Sequence, residues 1–413
     1  MTDSCDVLIV GGGLVGASLA IALDESGLRV ALAEAVPGHA NHQPSYDERN
    51  LALAAATVNA LHALDVWPRV SSHAMPIRRI HVSRKGELGA ARLDASKHGV
   101  EAFGAVLPAR ELGNGLLARL DACKRLLRHA PARLVDASCG PDGVTASLDC
   151  AGEARQVRAR LLVGADGTDS FVRGALGIQT DHFDYAQTAF VTTVTPQRAL
   201  DGCAYERFTA NGPVALLPLS EGRAGVVLTV PAADAARVAV LEDARFLDLL
   251  HERFGWRLGR FSRLGRRVSY PLRRVQATRL TATRAVLIGN AAQTLHPIGA
   301  QGFNLGLRDA LTLAELLVAR FGGDDAGAPA LLAEYSRRRS EDRDGTAAMS
   351  DGLARYTANE ALPLKLLRSI GLVALDRIPP LQELLVRRGM GFRGVVPQLA
   401  LRDPAQATAG SSP

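Results

Sequence analysis

Three glycines near the N-terminus, Gly11, Gly13 and Gly16, lie between a short apolar run and a helical pattern. Glycine at these positions allows a tight turn, a close approach of a ligand to the backbone, and close packing of the helix on the strand. The helix N-terminus presents free N–H groups and the positive end of its dipole, which together bind phosphate. Glu34 follows Gly13 by 21 residues, where its carboxylate can accept hydrogen bonds from both hydroxyls of a ribose and would repel a 2′-phosphate. These residues predict a site for FAD or NAD rather than NADP. The site would be formed by Gly11, Gly13, Leu14, Val15, Gly16 and Glu34.

Two further apolar runs end in turns that carry polar side chains. Residues 161–163 lead into Asp166 and Gly167, and residues 285–288 lead into Gly289 and Asn290. In an open parallel sheet, the carboxyl ends of the strands form the edge at which ligands bind. Three such strand ends in one chain predict a long, extended ligand that touches several strands.

The elements that must position these residues predict an α/β fold. Residues 6–10 and 28–33 form buried strands around a helix that extends to about Ser26 and is stopped by Gly27. Alternating segments between 183 and 272 predict an inserted antiparallel sheet. The segments are 188–195, 204–209, 214–217, 225–230 and 268–272. From about Gly302 onward the pattern is helical.

The predicted fold has a discontinuous, Rossmann-like nucleotide-binding domain interrupted by a sheet domain. The nucleotide-binding domain takes residues 1–72, 101–180 and 273–350. The sheet domain, which we expect to bind the substrate, takes residues 73–100 and 181–272. C-terminal helices follow over 351–402, and a tail over 403–413, rich in small residues and proline, is expected to fray.

The composition argues against several other classes of protein. The chain has 413 residues, of which 47% are hydrophobic, and a net charge of +6, so it can fold around its own core. The 48 basic residues are scattered among acidic ones, which argues against a nucleic-acid partner. Metal-ligand motifs and apolar runs of ~18 residues are absent from the sequence. The N-terminus is unlike a secretory signal and the five cysteines form no CxxC pair, so we expect a cytoplasmic protein with reduced thiols.

In their order and spacing, three motifs resemble the FAD-dependent aromatic hydroxylases with the para-hydroxybenzoate hydroxylase fold. The motifs are residues 11–16 with Glu34, residues 162–167 with Ser170 and Arg173, and residues 289–292 with Pro297, Gln301, Gly302 and Asn304. Residues 288–297, 205–209 and 47–53 are similar to the ubiquinone-biosynthesis branch, most of all to its hydroxylases of 2-polyprenyl-6-methoxyphenol. Asn290 and Gln293, where most of the family has Asp and His, are typical of that branch.

One stretch departs from the family. The usual order is Pro-x-x-Gly-Gln-Gly, whereas here Pro297 is followed by Ile298, Gly299, Ala300, Gln301 and Gly302. If Ala300 must take a positive φ, its backbone is strained, because that conformation favours glycine.

The resemblance implies tightly but non-covalently bound FAD, NAD(P)H as a transient reductant and O₂ as co-substrate. It also implies a C4a-hydroperoxide of the flavin that hydroxylates an electron-rich phenol. The FAD-binding positions that it adds are Arg49, Arg110, Asp166, Gly289, Asn290, Pro297, Gly299, Ala300, Gln301, Gly302 and Asn304. From the residues alone, both arginines could instead form ion pairs with neighbours in sequence, Arg49 with Asp47 or Glu48 and Arg110 with Glu111.

The substrate pocket is predicted only in outline, and the sequence does not identify the catalytic residues. Its candidate positions are Arg207, Gly212, Pro213, His296 and Pro297. A histidine that precedes a proline at a turn, as His296 does, is more often structural than a catalytic base.

The segment 360–393 carries two leucine-rich stretches with more basic than acidic residues, and it predicts amphipathic helices. These helices either cap the nucleotide-binding domain or lie on an anionic membrane surface, on the inner face of the cytoplasmic membrane. The implied function is hydroxylation of a polyprenylated methoxyphenol in ubiquinone biosynthesis, with other enzymes of that pathway as further partners. Three alternatives stay open: a sister hydroxylase acting on another ring carbon, an FAD reductase of isoprenoids, and a non-catalytic flavin-binding assembly subunit.

Overall fold

The computed structural model describes residues 2–37, 49–319, 325–358 and 362–401. For Thr2 and for residues 355–358, 362–364 and 366, only the backbone is described. Asp47, Glu48 and the predicted tail at 403–413 lie outside the described residues. Within the described ranges, no helix is both long enough and apolar enough to cross a membrane.

A six-stranded sheet, called here the central sheet, is parallel except at one edge strand. In spatial order its strands are Thr281–Ala282, Ala285–Leu287, Leu161–Gly164, Val7–Val10, Val30–Ala33 and Leu127–His129. Four of these strands are buried throughout, because helices and the strands of a further sheet, described below, pack against them. The four strands predicted here are confirmed, with bounds that differ by at most two residues. Their parallel register places their carboxyl ends at one edge.

Four helices form the core together with the central sheet: Leu14–Ala22, Ala109–Asp121, Gln301–Ala319 and Pro329–Ala358. The predicted end of the first helix, near Ser26, is wrong. The helix ends at Ala22, and the hydroxyl of Ser26 donates a hydrogen bond of 2.6 Å to the carbonyl of Leu23. This turn leads to Gly27, whose φ is +82°.

A nine-stranded sheet, called here the large sheet, contains the inserted strands. Its spatial order is Gln293–Thr294, Val268–Ala277, Thr180–Pro196, Ala224–Pro231, Val214–Pro218, Cys203–Phe208, Arg79–Arg84 and Ala90–Asp94, with Phe261–Ser262 paired to Thr180–Pro196. The predicted strands between 183 and 272 are confirmed as antiparallel neighbours. One pairing is parallel, between Cys203–Phe208 and Arg79–Arg84. It joins two distant parts of the chain that were predicted to share a domain, while the domain boundaries themselves stay a prediction.

The two faces of the large sheet have different neighbours, because side chains alternate along each strand. One face packs against the helix Asp243–Phe254, and the helix Ala232–Ala239 lies beside it; Phe190, Leu216 and Leu228 belong to this helix face. The other face carries Ala204, which packs in a cluster with Ile77 and Val106, and Phe208, which packs in a cluster with Ile298. We call it the site face.

The remaining elements surround these two sheets. A four-stranded outer sheet contains Thr2–Ser4, Glu153–Ala159, Gly143–Cys150 and Arg133–Gly140, and a three-stranded small sheet contains Asn50–Ala54, Gly104–Pro108 and Met75–Pro76. The other α-helices are Ala55–Ala63, Trp67–Val70, Phe171–Ala175, Leu362–Arg377 and Pro379–Gly389. The last two confirm helices where the leucine-rich stretches predicted them.

Candidate functional site

The glycine turn joins the strand Val7–Val10 to the helix Leu14–Ala22 through backbone contacts. Gly11 has a φ of +102°, and a Cβ at this residue would lie 2.5 Å from the carbonyl oxygen of Ala165. A Cβ on Gly16 would overlap the carbonyl oxygen of Gly11. Gly13, at the N-cap, has an extended backbone and no side chain with which to cap the first N–H groups of the helix. The turn therefore offers backbone N–H donors at the ligand edge of the sheet, as a pyrophosphate requires.

Glu34 lies at the end of the second strand, beside this turn. Its Oε2 accepts a hydrogen bond of 2.6 Å from the backbone N–H of Gly12, and its Oε1 accepts one of 2.8 Å from that of Val36. These two bonds fix the carboxylate, and each oxygen keeps a lone pair for a further donor such as a ribose hydroxyl. A pocket next to Glu34 is lined by Leu32, Leu117, Leu120, Arg128 and Ala130, together with Gly12.

Asp166 caps the short helix Phe171–Ala175. Its carboxylate accepts hydrogen bonds from the hydroxyl of Ser170 (2.5 Å) and from the backbone N–H of Val172 (3.0 Å). The buried side chain of Arg173 donates to the carbonyl oxygens of Thr168 and Ala291, both at 2.9 Å. Arg173 therefore fastens the second strand end to the third, and the three predicted strand ends meet at one edge.

The helix Gln301–Ala319 holds the third strand end through hydrogen bonds to Asp309. Gly289 has a φ of +59°, and its N–H donates to the carboxylate of Asp309 at 3.1 Å. The side-chain amide of Gln293 donates to the same oxygen at 2.6 Å. A Cβ on Gly306 would lie 2.9 Å from a methyl group of Val15 and 3.0 Å from the Cα of Gly289, so this glycine lets the two helices and the loop meet. The side chain of Asn290, in contrast, is exposed.

A buried ion-pair network supports Asp309, and the sequence analysis did not identify it. The guanidinium of Arg339 lies 2.7 Å from Asp309 and 3.0 Å from Asp342, and Arg308 lies 2.7 Å from Asp342. All four side chains are almost completely buried. Burial would raise the pKa of Asp342, but the two arginines hold it below its ordinary value. Burial would also lower the pKa of Arg339, but the carboxylates of Asp309 and Asp342 raise it above its ordinary value.

The loop with the unusual glycine order has two residues with a left-handed backbone. Gly299 has a φ of +72° and Ala300 a φ of +50°, so the condition for strain at Ala300 is met. The amide of Gln301 donates to the carbonyl of Gly299 at 3.0 Å. Asn304 is buried and makes four hydrogen bonds of 2.7–2.9 Å, to Ala52, Ala54, Thr57 and Ala300. Its side chain thus joins the loop to the small sheet, and a contact with the cofactor remains a prediction.

The two predicted FAD-binding arginines lie at different places. Arg49, half-buried, has its guanidinium carbon 5.5 Å from the ring centre of Tyr270 on the large sheet. Arg110 begins the helix Ala109–Asp121, and its Nε lies 3.2 Å from the carboxylate of Glu111, which is the alternative that the residues alone allowed. The other alternative, an ion pair of Arg49 with Asp47 or Glu48, involves residues outside the described ranges.

His296 is buried and bonded at both ring nitrogens. Its Nδ1 accepts a hydrogen bond of 3.2 Å from the N–H of Ile298, and its Nε2 lies 3.3 Å from the side-chain oxygen of Gln187. Burial lowers the pKa of His296 to about 4, so the ring is neutral at pH 7. The two hydrogen bonds hold the turn before Pro297, an exposed residue, and whether His296 also acts in catalysis stays a prediction.

The remaining pocket candidates lie at the strand Cys203–Phe208 and the turn that follows it. Arg207 pairs in register with Val214, which belongs to the helix face, so its side chain lies on the opposite face from Ala204 and Phe208. Burial and the nearby Arg257 lower its pKa. Gly212, with a φ of +111°, and the buried Pro213 form the turn beside Thr229. The structure therefore places Arg207 away from the loop 297–304.

Comparisons with known proteins agree with this geometry. Residues 4–347 match the family model described as FAD binding domain. The chain is 38% identical over 397 residues to ubiquinone hydroxylase UbiL of Rhodospirillum rubrum, covering 95% of this chain and 91% of the relative. It is 31% identical to 3-demethoxyubiquinol 3-hydroxylase of Escherichia coli, covering 94% and 98%. The crystal structure of p-nitrophenol 4-monooxygenase PnpA from Pseudomonas putida superimposes with a TM-score of 0.78, at 19% identity, covering 95% of this chain and all of that one.

The chain therefore belongs to the FAD-binding-domain family of aromatic hydroxylases, and within it to the ubiquinone-biosynthesis branch. The predicted resemblance and the α/β fold class are confirmed. The protein is an FAD-dependent monooxygenase, as predicted.

The residues at the site fit FAD. Asn290, Pro297, Gly299 and Gly302 are exposed, although their neighbours Gly289, His296, Ile298 and Gln301 are buried. A Cβ on Gly167, Gly299 or Gly302 would meet only open space, so the three turns leave room along the sheet edge. The site thus combines uncapped backbone donors, the carboxylate of Glu34 and an open strip that crosses three strand ends. No group of side chains suited to a metal ion is found within the described part of the chain.

Proposed function

We propose that this protein hydroxylates the aromatic ring of a polyprenylated methoxyphenol in ubiquinone biosynthesis. The observation that supports this most is the similarity to UbiL, a ubiquinone hydroxylase, over nearly the whole of both chains. The convergence of the three strand ends adds to it, because an extended FAD would bring its flavin ring from the glycine turn to the loop 297–304.

The chain's own residues bind the cofactor and exclude water from the reaction. Residues of the glycine turn hold the pyrophosphate, Glu34 holds the adenosine ribose, and Asn290 and the loop 297–302 lie where the ribityl chain and the flavin would be. When bound, the flavin supplies electron transfer from NAD(P)H and the activation of O₂ for transfer of one oxygen atom. The site face, with Ala204, Phe208 and Leu217, offers the apolar surface that an aromatic ring with an isoprenoid tail requires.

Hydroxylation of another ring carbon is the nearest alternative. The relative from Escherichia coli is named for hydroxylation at carbon 3 of demethoxyubiquinol, and it is 31% identical to this chain. An FAD reductase of isoprenoids and a non-catalytic assembly subunit are the other two candidates, and oxygen consumption separates them from a hydroxylase.

We also propose that the C-terminal helices lie on an anionic membrane surface, where a polyprenylated substrate would be found. Several of their apolar side chains are exposed: Leu367, Ile370, Val373, Ile378, Leu381 and Leu384. Arg377, Arg387 and Arg388 are exposed as well, whereas Arg368 is buried beside Glu87. Apolar side chains beside arginines are typical of helices that bind at the membrane interface. Flotation with anionic vesicles tests this proposal, and an Ile370→Asp variant should float less.

Turnover under ¹⁸O₂ tests the proposed activity. The FAD-loaded protein receives NADH or NADPH and a short-tailed 2-prenyl-6-methoxyphenol, and the product is analysed by mass spectrometry. We expect one ¹⁸O in the ring, dependent on both the reductant and O₂, and the isomer formed identifies the ring position. Peroxide without labelled product would contradict this substrate. Failure to oxidise NAD(P)H at all would favour the assembly subunit.

A further inference from the structure

Glu206 lies on the site face of the large sheet, between Ala204 and Phe208 of the same strand. In the strand Cys203–Phe208, side chains at 204, 206 and 208 point to the same face. Ala204 packs with Ala52 of the small sheet, and Phe208 packs with Ile298 of the loop 297–304. The carboxyl group of Glu206 therefore faces the space between the small sheet and that loop.

The surroundings of Glu206 are apolar. Its register partners are Val82 on one side and Ala215 on the other, and Val227 follows Ala215 on the next strand. Within the described ranges, no hydrogen bond or ion pair to the carboxylate of Glu206, a half-buried residue, is found. Burial raises the pKa of Glu206 to about 7, so the group is partly ionised at neutral pH.

Four charged or titratable side chains on the neighbouring elements have other neighbours or point away from Glu206. On the adjacent strand, Arg84 is paired with Glu87 at 2.7 Å. On the loop, His296 is neutral and bonded at both nitrogens. Arg49, which precedes the strand Asn50–Ala54, lies near Tyr270. Arg207, the adjacent residue of the same strand, points to the opposite face.

We infer that Glu206 is the catalytic residue that accepts the proton of the substrate's phenolic hydroxyl, an inference that rests on the proposed function. The phenolic O–H bond breaks and its proton moves to the Glu206 carboxylate. The electron pair left on oxygen is delocalised into the ring, where a carbon forms the new C–O bond with one atom of O₂. The hydrogen on that carbon leaves as a proton when aromaticity returns. The second oxygen atom leaves as water, and NAD(P)H supplies the two electrons.

A half-buried carboxyl group with apolar neighbours suits this role. A base is most effective when its pKa lies near the working pH, and a phenol of pKa about 10, which is not ionised at pH 7, needs a base that accepts its proton as the ring reacts. The hydroxylated ring is also more reactive as phenolate, because the negative oxygen donates more electron density to the ring.

The variant Glu206→Gln, purified with FAD, tests the inference. We expect the rate of labelled product at pH 7 to fall by about 100-fold, a typical contribution of a general base. The rate of flavin reduction by NAD(P)H and the FAD content should stay within about twofold of the wild type. The wild-type rate should rise with pH through about 7. The variant should lack this rise and recover only as the pH approaches the phenol's own pKa, an effect that a merely structural residue would not show.

Binding of the prenylated phenol, followed by its ultraviolet spectrum, separates this inference from the proposed function. The wild-type protein and Glu206→Gln should bind the phenol with similar affinity at pH 7, because the amide can accept the phenolic hydrogen bond but not the proton. Glu153→Gln, an exposed glutamate on the outer sheet, is the matched control and should behave as the wild type. An unchanged rate of labelled product in a Glu206→Gln protein that binds the phenol would overturn the role of Glu206 alone. Absence of binding to the wild type would overturn the proposed function, and the role of Glu206 with it.

Discussion

The glycine turn at 11–16 and the loop at 289–304 form two ends of the same site, but different forces hold them. The turn is held by its backbone, because Gly11 and Gly16 lie so close to neighbouring carbonyl groups that no side chain fits. The loop is held by buried side chains: Asp309 and Asn304 bind its N–H and carbonyl groups, and Arg339 holds Asp309 in place. One end of the site is therefore sensitive to volume and the other to charge.

This difference explains why the loop tolerates a departure from the family pattern. Ala300 has a left-handed backbone that favours glycine, yet Asn304 fixes the loop by donating hydrogen bonds to Ala52 and Ala300 and accepting two more, from Ala54 and Thr57. Interactions of this kind can offset backbone strain of about 1–2 kcal/mol. In the glycine turn, the hydrogen bond from Gly12 to Glu34 cannot relieve the overlap that a Cβ at Gly11 or Gly16 would cause, so both positions require glycine.

The largest effect is expected for Gly16→Ala. Its Cβ would overlap a backbone oxygen, and the helix Leu14–Ala22 would have to move away from the strand. We expect a loss of about 5 kcal/mol or more and almost no FAD in the purified protein. Flavin absorbance per protein and circular dichroism measure these effects.

Gly371→Ala is the matched control, since Gly371 is also within a helix but a Cβ there meets only open space. This change should leave the FAD content unaltered and stabilise the helix slightly. If Gly16→Ala retained FAD as the control does, the turn would not be limited by volume.

The second effect concerns charge at the other end of the site. Asp309→Asn removes a buried negative charge from Arg339 and weakens the bonds to Gly289 and Gln293. We expect a loss of about 3–5 kcal/mol in the free energy of unfolding, because a buried guanidinium is left with one partner fewer. Denaturant unfolding of the apoprotein and FAD titration measure this.

Asp169→Asn provides the comparison, because Asp169 forms an exposed ion pair with Arg273 at 2.9 Å. It should cost less than about 1 kcal/mol. The double variant Asp309→Leu, Arg339→Met removes both charges of that pair. Its loss in the free energy of unfolding should therefore be smaller than the sum of the losses in the two single variants. A purely additive result would show that Asp309 and Arg339 are not coupled.

The same contrast separates what the sequence could predict from what it could not. The glycine turn depends on local spacing, so Gly11, Gly16 and Glu34 were predictable together with the strands on either side. Asp309 and Arg339 are 30 residues apart and meet only through the packing of two helices, so no local pattern indicated them. The side of the strand on which Arg207 and Glu206 lie depends on the pairing register of the large sheet. The antiparallel strands were predictable, but their register was not.

The smallest effect is expected for Ala300→Gly, which restores the usual glycine of the family at this position. Ala300 has a φ of +50°, and an L-residue in this conformation costs about 1–2 kcal/mol. Glycine removes that cost but makes the unfolded chain more flexible, which offsets about 0.4–1 kcal/mol of the gain. We expect a net stabilisation of about 0.5–1 kcal/mol, seen as a rise of about 1–2 °C in the thermal midpoint of the apoprotein. Gly299→Ala is the opposite control, because its φ of +72° would then carry a side chain, and it should lower the midpoint. A lower midpoint for Ala300→Gly would show that the alanine side chain stabilises the loop by more than its backbone strain costs, so that this end of the site would depend on side chains even at Ala300.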